Sequence, residues 1–341
     1  MTERRAAPTS HDVARLAGVS QSTVSYVMTG KRSISPETRE RVLAAIEQLT
    51  YQPNAGARAL RGQRTQVIAL MVRLGEHADP RDTVPYIDAV VAAARERDHD
   101  VVLVTGDEGP AALTRMAGRR NCDAFVLMDI RADDDRIATA AALEQPVVLI
   151  GTPADRAGLD AVDYDVPRAA AMLVDELADT GHRHAVLLGE SALPGEYWFV
   201  SAFHDACRAR AAERGLDFAV VDPPRPGWAG VEAAAPRLLA DRGDRLGLIA
   251  RTPQATERLL LLARFHGLRP GEDVSVVGLC PDAAAEALDP PATSVSTQAR
   301  EVSRKAVELL FARIDGTAAD SALHLVAPGE LRRRGSTAVF E

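Results

Sequence analysis

Residues 9–29, TSHDVARLAGVSQSTVSYVMT, decide the architecture of the first part of the chain. Thr9 can cap a helix that begins directly after it, and Asp12 then places a carboxylate near the positive end of the helix dipole. Gly18 tolerates the backbone conformation of a sharp turn, and Ser20 can cap a second helix. Two short helices joined by a tight turn predict a helix-turn-helix.

A third helix is predicted to begin at Ser35-Pro36, because proline is favoured at the first helical position. Spacings of three and four residues place apolar side chains of all three helices on faces that can share one core. The residues expected in this core are Val13, Leu16, Ala17, Val24, Val27, Met28, Val42, Ile46 and Leu49. The other face of the second helix presents Gln21, Ser22, Ser25, Tyr26 and Thr29.

That polar face has the chemistry of a helix that reads DNA. Gln21 can form two hydrogen bonds to an adenine edge, and Ser22 can donate or accept one. Ser25, Thr29 and the flanking arginines can hold phosphates. A capped amphipathic three-helix domain with a polar outer face is also common without DNA, so the helical pattern alone leaves both interpretations open.

The distribution of charge favours a nucleic-acid partner more than the total does. The chain has 341 residues and a net charge of −8, which taken alone argues against binding to a polyanion. Residues 1–64, however, hold ten basic and five acidic residues, a local charge of +5. The remainder holds 30 basic and 43 acidic residues, a charge of −13. A basic segment on an acidic body is expected when one small domain meets DNA.

From Gln66 onward, short apolar runs alternate with segments of helical length. These runs are QVIALMV, DVVLVTG, AFVLMD, PVVLIG, HAVLLGE, FAVV, LGLIA and VSVVG. Runs of this length without alternation predict strands buried on both faces of parallel sheets. A split near Asp165–Pro167 gives two α/β halves with a ligand cleft at the carboxyl ends of their strands. A helix at about Gln298–Asp315 follows the strand-like TSVST and is expected to cross back to the first half.

Other sequence features exclude several classes of protein. The three cysteines are far apart and form no disulfide framework, and neither a signal peptide nor a membrane-spanning run is evident, so we expect a cytoplasmic protein. His182-x-His184 lacks a third metal ligand, and Asp133–Asp135 is typical of a solvated helix start. We therefore predict no metal site and no cofactor, and we find no nucleophile or phosphate-loop motif on which an enzyme could rest.

The first 54 residues resemble the DNA-binding headpiece of the lac-repressor (LacI/GalR) family of bacterial transcription regulators. The resemblance is carried by Ser10-His11-Asp12-Val13-Ala14, Ala17-Gly18-Val19-Ser20, Thr23-Val24-Ser25, Thr38-Arg39-Glu40-Arg41-Val42 and Tyr51-Gln52-Pro53-Asn54. It implies a sequence-specific DNA-binding repressor. Residues 53–62, PNAGARALRG, resemble the family's hinge helix, in which Leu60 would wedge into the minor groove of the operator.

The resemblance also implies which residues touch DNA. Gln21, Ser22 and Tyr26 fall where the family's recognition helix contacts bases, although the third position is commonly arginine. The full set of DNA-binding candidates is Thr9, Ser10, Ser20, Gln21, Ser22, Thr23, Ser25, Tyr26, Thr29, Asn54, Ala57, Arg58 and Leu60.

The body resembles the twin-lobed fold of periplasmic sugar-binding proteins. The matching segments are Thr180-Gly181-His182-Arg183, the stretch from Gly267 to Gly278, and Pro290-Pro291-Ala292-Thr293-Ser294-Val295. By this resemblance Phe199, Arg251-Thr252 and Cys280 replace residues that grip sugar hydroxyls in relatives, and Trp228 falls where some relatives stack an aromatic ring. The effector-binding candidates are Tyr86, Asp129, Phe199, Trp228, Arg251 and Cys280.

These replacements lead us to expect an effector other than a plain neutral sugar, because buried hydroxyls without partners are costly. Tyr86, Phe199 and Trp228 would be apolar walls, and Arg251 a cation that favours an anionic group on a planar ligand. The alternative is that Arg251 pairs with an internal carboxylate, such as one of Asp133–Asp135, and that the pocket is vestigial.

The predicted architecture is an all-α headpiece at residues 1–52, a hinge at 53–64 and an α/β body at 65–341. Lobe 1 is expected at about 65–165 and 294–325, and lobe 2 at about 166–293 and 326–341. The protein would bind near-palindromic double-stranded DNA as a homodimer or a tetramer, and a small-molecule effector would control its affinity. A binding protein of the periplasmic type and an α/β enzyme are the alternatives.

Overall fold

The computed structural model describes residues 8–29, 32–51, 64–73, 80–105, 109–190, 197–240 and 245–340. The chain divides into two compact units, Met1–Thr65 and Gln66–Glu341. Of the helices that the structure describes, none combines the length and the hydropathy that a membrane-spanning helix requires.

The first unit contains the three helices predicted for it. They are α1 (Ser10–Ala17), α2 (Gln21–Thr29) and α3 (Pro36–Leu49). Thr9 and Asp12 form a capping box in which each side chain accepts a hydrogen bond from the other's backbone. This arrangement satisfies two amide donors that the start of a helix leaves without partners. α1 ends at Ala17, and Gly18 caps it with a φ of +66°, a conformation that is strained for other residues.

The core of the first unit differs from the prediction, because two residues expected in it are exposed and Ala14 and Ala45 join it. Its buried residues are Val13, Ala14, Ala17, Val24, Val42 and Ala45. Leu16 is 46% exposed and Met28 is 39% exposed, so their expected burial was wrong. Val13, Ala14 and Ala17 form the apolar stripe of α1, and Leu16 lies to one side of it.

The second unit begins with lobe 1, which is built on a six-stranded parallel sheet. Its strands and helices are β1 (Val67–Val72), α4 (Pro80–Arg95), β2 (Asp100–Thr105), α5 (Gly109–Gly118), β3 (Ala124–Leu127), α6 (Arg136–Ala141), β4 (Val147–Ile150) and β5 (Asp160–Tyr164). A further strand, β11 (Leu323–Val326), arrives from the end of the chain, and the strand order is β11-β5-β4-β3-β1-β2.

Lobe 2 follows with a five-stranded parallel sheet in the order β10-β9-β8-β6-β7. Its elements are α7 (Val166–Asp179), β6 (His184–Leu188), α8 (Trp198–Arg214), β7 (Asp217–Val221), α9 (Trp228–Leu238), β8 (Leu246–Ala250), α10 (Pro253–Phe265), β9 (Ser275–Leu279), α11 (Asp282–Glu286) and β10 (Thr293–Val295). The chain then returns to lobe 1 as α12 (Ala299–Ile314) and β11 (Leu323–Val326).

The predicted parallel sheets and the return helix are confirmed. α12 packs against α4, β4 and β5 of lobe 1, as the segment after TSVST was expected to do. Two strands were missed. β5 carries Asp160 and Asp163, which are buried because other groups satisfy them: Asp160 accepts from Arg313 and from the backbone of Ala322. β11 is an edge strand with an alternating, half-exposed pattern.

The two parallel sheets place functional positions at neighbouring strand ends. Asp129, Gly151 and Asp163 lie at or just after the carboxyl ends of β3, β4 and β5. Glu190 and Arg251 follow β6 and β8, which are neighbours in the second sheet. Because ligands of open α/β sheets bind beyond the carboxyl ends of their strands, this edge positions the candidate site.

Candidate functional site

The start of α2 is tied to the start of α1 by side-chain hydrogen bonds. Gln21 Nε2 donates to Ser10 Oγ at 2.8 Å. Ser20 Oγ caps α2 by accepting from the backbone of Thr23 at 3.2 Å, and it lies 2.7 Å from Ser22 Oγ. The structure therefore gathers the polar candidates Ser10, Gln21 and Ser22 at one end of a helix that is narrow enough to enter a major groove.

The structure describes only some of the other residues that were predicted to contact DNA. Tyr26 is half-buried, and the guanidinium carbon of Arg32 lies 5.9 Å from its ring centroid, so a cation accompanies the tyrosine. Ser25 is half-buried and Thr9 is exposed. The side chain of Thr29 and the residues Asn54, Ala57, Arg58 and Leu60 lie outside the described part of the chain.

The body contains a cavity of about 130 Å³ between lobe 1 and lobe 2. Its walls come from α4, α12, the segments after β3 and β4, the end of β5, and residues beside the carboxyl ends of the second sheet. The lining residues are Asp82, Thr83, Tyr86, Met128, Asp129, Ile130, Ile150, Gly151, Asp163, Tyr164, Val166, Phe199, Arg251, Leu279, Thr297 and Val302.

Four of the six effector candidates meet at this cavity, and two do not. Tyr86, Asp129, Phe199 and Arg251 line it. Trp228 instead begins α9 and packs edge-on against Phe265 of the neighbouring α10, with ring centroids 6.3 Å apart. Cys280 is fully buried beneath α10, where its sulfur lies 3.4 Å from Thr256 Oγ1. Neither of these two side chains lines the cavity, and their role in effector binding stays a prediction from the sequence.

Arg251 is held by a carboxylate that sequence reasoning did not identify. Its Nε and Nη2 donate to Glu190 Oε1 and Oε2 at 2.5 and 2.9 Å, and its guanidinium carbon lies 5.0 Å from the Phe199 ring centroid. The internal partner is thus Glu190, whereas Asp134 pairs with Arg136 at 2.8 Å. Arg251 is therefore not the uncompensated cation that an anionic ligand would require.

The cavity also holds carboxylates that accept hydrogen bonds. Asp129 Oδ2 accepts from the backbone of Arg73 at 2.8 Å, and Asp163 accepts from the Tyr164 backbone and from Trp198 Nε1 at 2.8 and 3.2 Å. Burial is the largest influence on both carboxyl groups and raises the pKa of each. Asp82 lines the same cavity. The sequence signal for Asp163 is a polar residue within a short strand, DAVDY, that is not an apolar run.

Two tyrosines of lobe 1 fix the segment where the chain crosses from lobe 2. Tyr86 donates to the Thr297 carbonyl at 3.2 Å, and Tyr164 donates to the Ser296 carbonyl at 2.8 Å. Burial raises the pKa of both phenols, so both remain neutral donors. Thr297 Oγ1 is buried at the cavity wall and has no hydrogen-bond partner among the described residues. A ligand hydroxyl could satisfy it.

The residues that resembled metal ligands have structural roles. His182 Nδ1 lies 2.9 Å from the Leu177 carbonyl at the end of α7, and Nε2 lies 2.7 Å from Ser275 Oγ. Within the described ranges, no group of three or more histidine, cysteine or acidic side chains is arranged to hold a metal ion.

Comparison with known proteins supports both units. Residues 9–54 match the model of the bacterial regulatory proteins of the lacI family, and residues 174–337 match that of a periplasmic binding protein-like domain. The HTH-type transcriptional regulator CelR of Thermobifida fusca is 31% identical over 324 residues, which cover 92% of this chain and 94% of that protein.

Solved structures show the same fold. A transcriptional regulator CelR–cellobiose complex aligns with a TM-score of 0.69 and 28% identity, covering 96% of this chain and 99% of its own. The lac repressor dimer bound to operator and the anti-inducer ONPF aligns with a TM-score of 0.81 and 21% identity, covering 97% and 99%. The relatives are transcription regulators and not enzymes. With a headpiece and a body that both match, this chain belongs to the lacI family of bacterial regulatory proteins.

Proposed function

We propose that this regulator represses transcription by binding near-palindromic operator DNA as a homodimer, with α2 in the major groove. The observation that carries the proposal is the polar start of α2, where Gln21 and Ser22 are exposed beside Ser10. A two-fold protein favours a two-fold site, because each headpiece then meets an equivalent half-site. The DNA contacts expected of Asn54, Ala57, Arg58 and Leu60 remain predictions from sequence.

Selection from random duplexes with the full chain tests the DNA-binding proposal. We expect enrichment of one sequence with two inverted half-sites, and repression of a reporter that carries it. A duplex with one half-site should bind more weakly than the complete site. Enrichment of no sequence, or equal affinity for one and two half-sites, would contradict the proposal.

We further propose that the cavity binds an effector that is neutral or cationic, rich in hydrogen-bond donors and apolar on one face. Asp82, Asp129 and Asp163 offer acceptors, whereas the charge of Arg251 is already balanced by Glu190. Ile130, Ile150 and Val302 supply an apolar wall. The expectation of an anionic ligand loses its basis, because it required an uncompensated Arg251. The acceptors also remove the argument against a neutral sugar; the related CelR forms a complex with cellobiose.

Effector binding would act by shifting the population between two degrees of closure of lobe 1 on lobe 2. A ligand that contacts both lobes binds the closed form more tightly and therefore favours it. The operator affinity then changes by the ratio of the effector's affinities for the two DNA-binding states.

A thermal-shift screen of neutral saccharides, amino sugars, sugar acids and aromatic acids tests the effector class. We expect a neutral or amine-bearing compound to stabilise the protein and to change operator affinity. Asp163→Asn should weaken this binding about tenfold, since a hydrogen bond to a charged group contributes roughly 1.5–3 kcal/mol. The control is Asp165→Asn, because Asp165 caps α7 outside the cavity and asparagine also caps well. Stabilisation by sugar acids alone would contradict the proposed class.

A further inference from the structure

We infer that Glu190 determines the charge selectivity of the cavity, by cancelling the charge of Arg251 so that anions are excluded. This inference rests on the proposed effector function and names the residue that sets its ligand class. Glu190 does not itself line the cavity; it acts through Arg251, which does. It is therefore a positioning residue rather than a ligand contact.

The geometry of the pair allows little alternative placement of the guanidinium. Both carboxylate oxygens accept from Arg251, whose flat group also lies over the Phe199 ring. The side chains of Arg251 and Glu190 are only 13% and 20% exposed. Paired contacts of this kind fix both the position and the orientation of an arginine. The ion pair follows from topology, since β6 and β8 are hydrogen-bonded neighbours.

The other charged residues around the cavity also disfavour an anionic ligand. Asp82, Asp129 and Asp163 face it from lobe 1. The nearby Arg73 and Arg136 both contact Asp134, at 3.4 and 2.8 Å, and both donate to the Asp129 carbonyl, so both guanidinium groups already have acidic and carbonyl partners. With Glu190 in place, the lining therefore has an excess of acceptors. Without Glu190, a largely buried guanidinium would lack its carboxylate and would recruit an anion.

The pKa shifts of Glu190 and His204 agree with this charge balance. Burial alone would raise the pKa of Glu190, but the charge and hydrogen bonds of Arg251 hold it below its usual value. Burial also lowers the pKa of His204, against the attraction of Glu190 and Asp222. His204 is therefore uncharged at pH 7 and above, and it does not replace Arg251 as a cation.

Chemical rescue with acetate tests the inference without an identified effector. Glu190→Ala should melt at a lower temperature than the wild type in sodium chloride. Sodium acetate at equal ionic strength should restore much of the loss, because acetate supplies the missing carboxylate to Arg251. The melting temperature of the wild type should be the same in sodium acetate as in sodium chloride. If Glu190→Ala folds poorly in chloride, the yield of refolding in the two salts provides the same comparison.

Two further variants separate this role from a general loss of stability. Glu176→Ala is the matched control, since Glu176 also pairs through both oxygens with an arginine, but Arg333 is 51% exposed and lies outside the cavity lining. The melting temperature of Glu176→Ala should be the same in sodium acetate as in sodium chloride. In Glu190→Ala/Arg251→Met, where the cation is gone, the rescue should disappear. Rescue that persists in the double variant, or that is equal in the Glu176 control, overturns the inference.

Selectivity is measured with three probes of one scaffold, which are glucose, glucosamine and glucuronate. Fluorescence of Trp198, which donates to Asp163, reports binding when the second tryptophan is removed as Trp228→Phe. Glu190→Gln should improve the affinity for glucuronate relative to glucosamine by about tenfold or more. Unchanged relative affinities in a variant that binds the probes overturn the inference. Acetate rescue without binding of any probe would support the role of Glu190 and count against the proposed effector class.

Discussion

His182 is buried where α7 ends, and hydrogen bonds hold both of its ring nitrogens. The Leu177 carbonyl accepts from Nδ1, and the Ser275 hydroxyl donates to Nε2. Ser275 Oγ in turn accepts from the backbone of Ala338. The ring therefore connects the end of α7 to the start of β9 and to the C-terminal segment. The neutral ring makes all of these bonds, and burial lowers its pKa to about 4.

The depressed pKa of His182 predicts a loss of stability in mild acid. The unfolded chain protonates this residue near its ordinary value of about 6.5, whereas the folded chain does so near 4. Its contribution is therefore complete above pH 6.5 and is lost as the pH falls to about 4, by roughly 3 kcal/mol. Urea unfolding across this range should show a shallower pH dependence in His182→Gln. An unchanged slope in His182→Gln would refute the assignment.

Gln21 is a single side chain that is expected to distinguish one base from another. Gln21→Ala should reduce discrimination between the selected operator and a scrambled duplex by about 1–3 kcal/mol, through loss of a paired contact to one base. Gln48→Ala is the control, since Gln48 is exposed on α3. Fluorescence anisotropy on both duplexes measures the difference. A uniform loss on operator and scrambled DNA would assign Gln21 to the phosphate backbone instead.

At the scale of elements, lobe 2 depends on how closely α7 approaches its sheet. Gly247 lies in β8 between Ala185 of β6 and Ser275 of β9. A Cβ added at Gly247 would come within 2.6 Å of both terminal methyl carbons of Leu177, which is fully buried in α7. The glycine is thus needed for space and not for backbone conformation.

Gly247→Ala should destabilise the body by about 1–3 kcal/mol, as extra methyl groups do in packed cores. Gly118→Ala is the matched control, because Gly118 ends α5 and has open space around it. Alanine there should be neutral or should stabilise by up to about 1 kcal/mol. Chemical denaturation of both variants tests the comparison. Equal effects in the two proteins would mean that contact with Leu177 does not decide the outcome.

Across the whole molecule, charge is divided between the DNA-reading segment and the body. Residues 1–64 hold +5 and the rest holds −13, so repulsion from DNA should confine contact to the basic segment. The total of −8 averages over this division and gives no indication of it.

Operator affinity should therefore fall steeply with salt. A protein that makes about 6–10 phosphate contacts loses about 10³–10⁵ in affinity between about 50 and 200 mM salt. Anisotropy titrations at several sodium chloride concentrations measure the slope of log affinity against log salt. The melting temperature in the same buffers is the control, since unfolding must not cause the loss. A flat dependence would contradict binding through the headpiece.

Local patterns in the sequence determined the headpiece helices, their caps, the parallel strands and the family. Those features depend on neighbouring residues: a capping box spans four positions, and a buried strand is a short apolar run. Tyr86, Asp129, Phe199 and Arg251, which only a resemblance indicated, lie together at one cavity, and their contact with an effector stays a prediction.

Tertiary structure alone decided the chemistry of the cavity. Glu190 and Arg251 are 61 positions apart, and they meet because two parallel strands end side by side. Asp163 was hidden because a buried carboxylate is tolerated only when distant groups satisfy it, here Trp198 among them. Trp228 and Cys280 do not line the cavity, because a position in a strand or helix does not determine which side of the sheet a side chain occupies. Net charge at a site is a sum over partners distant in sequence, so only the folded chain defines it.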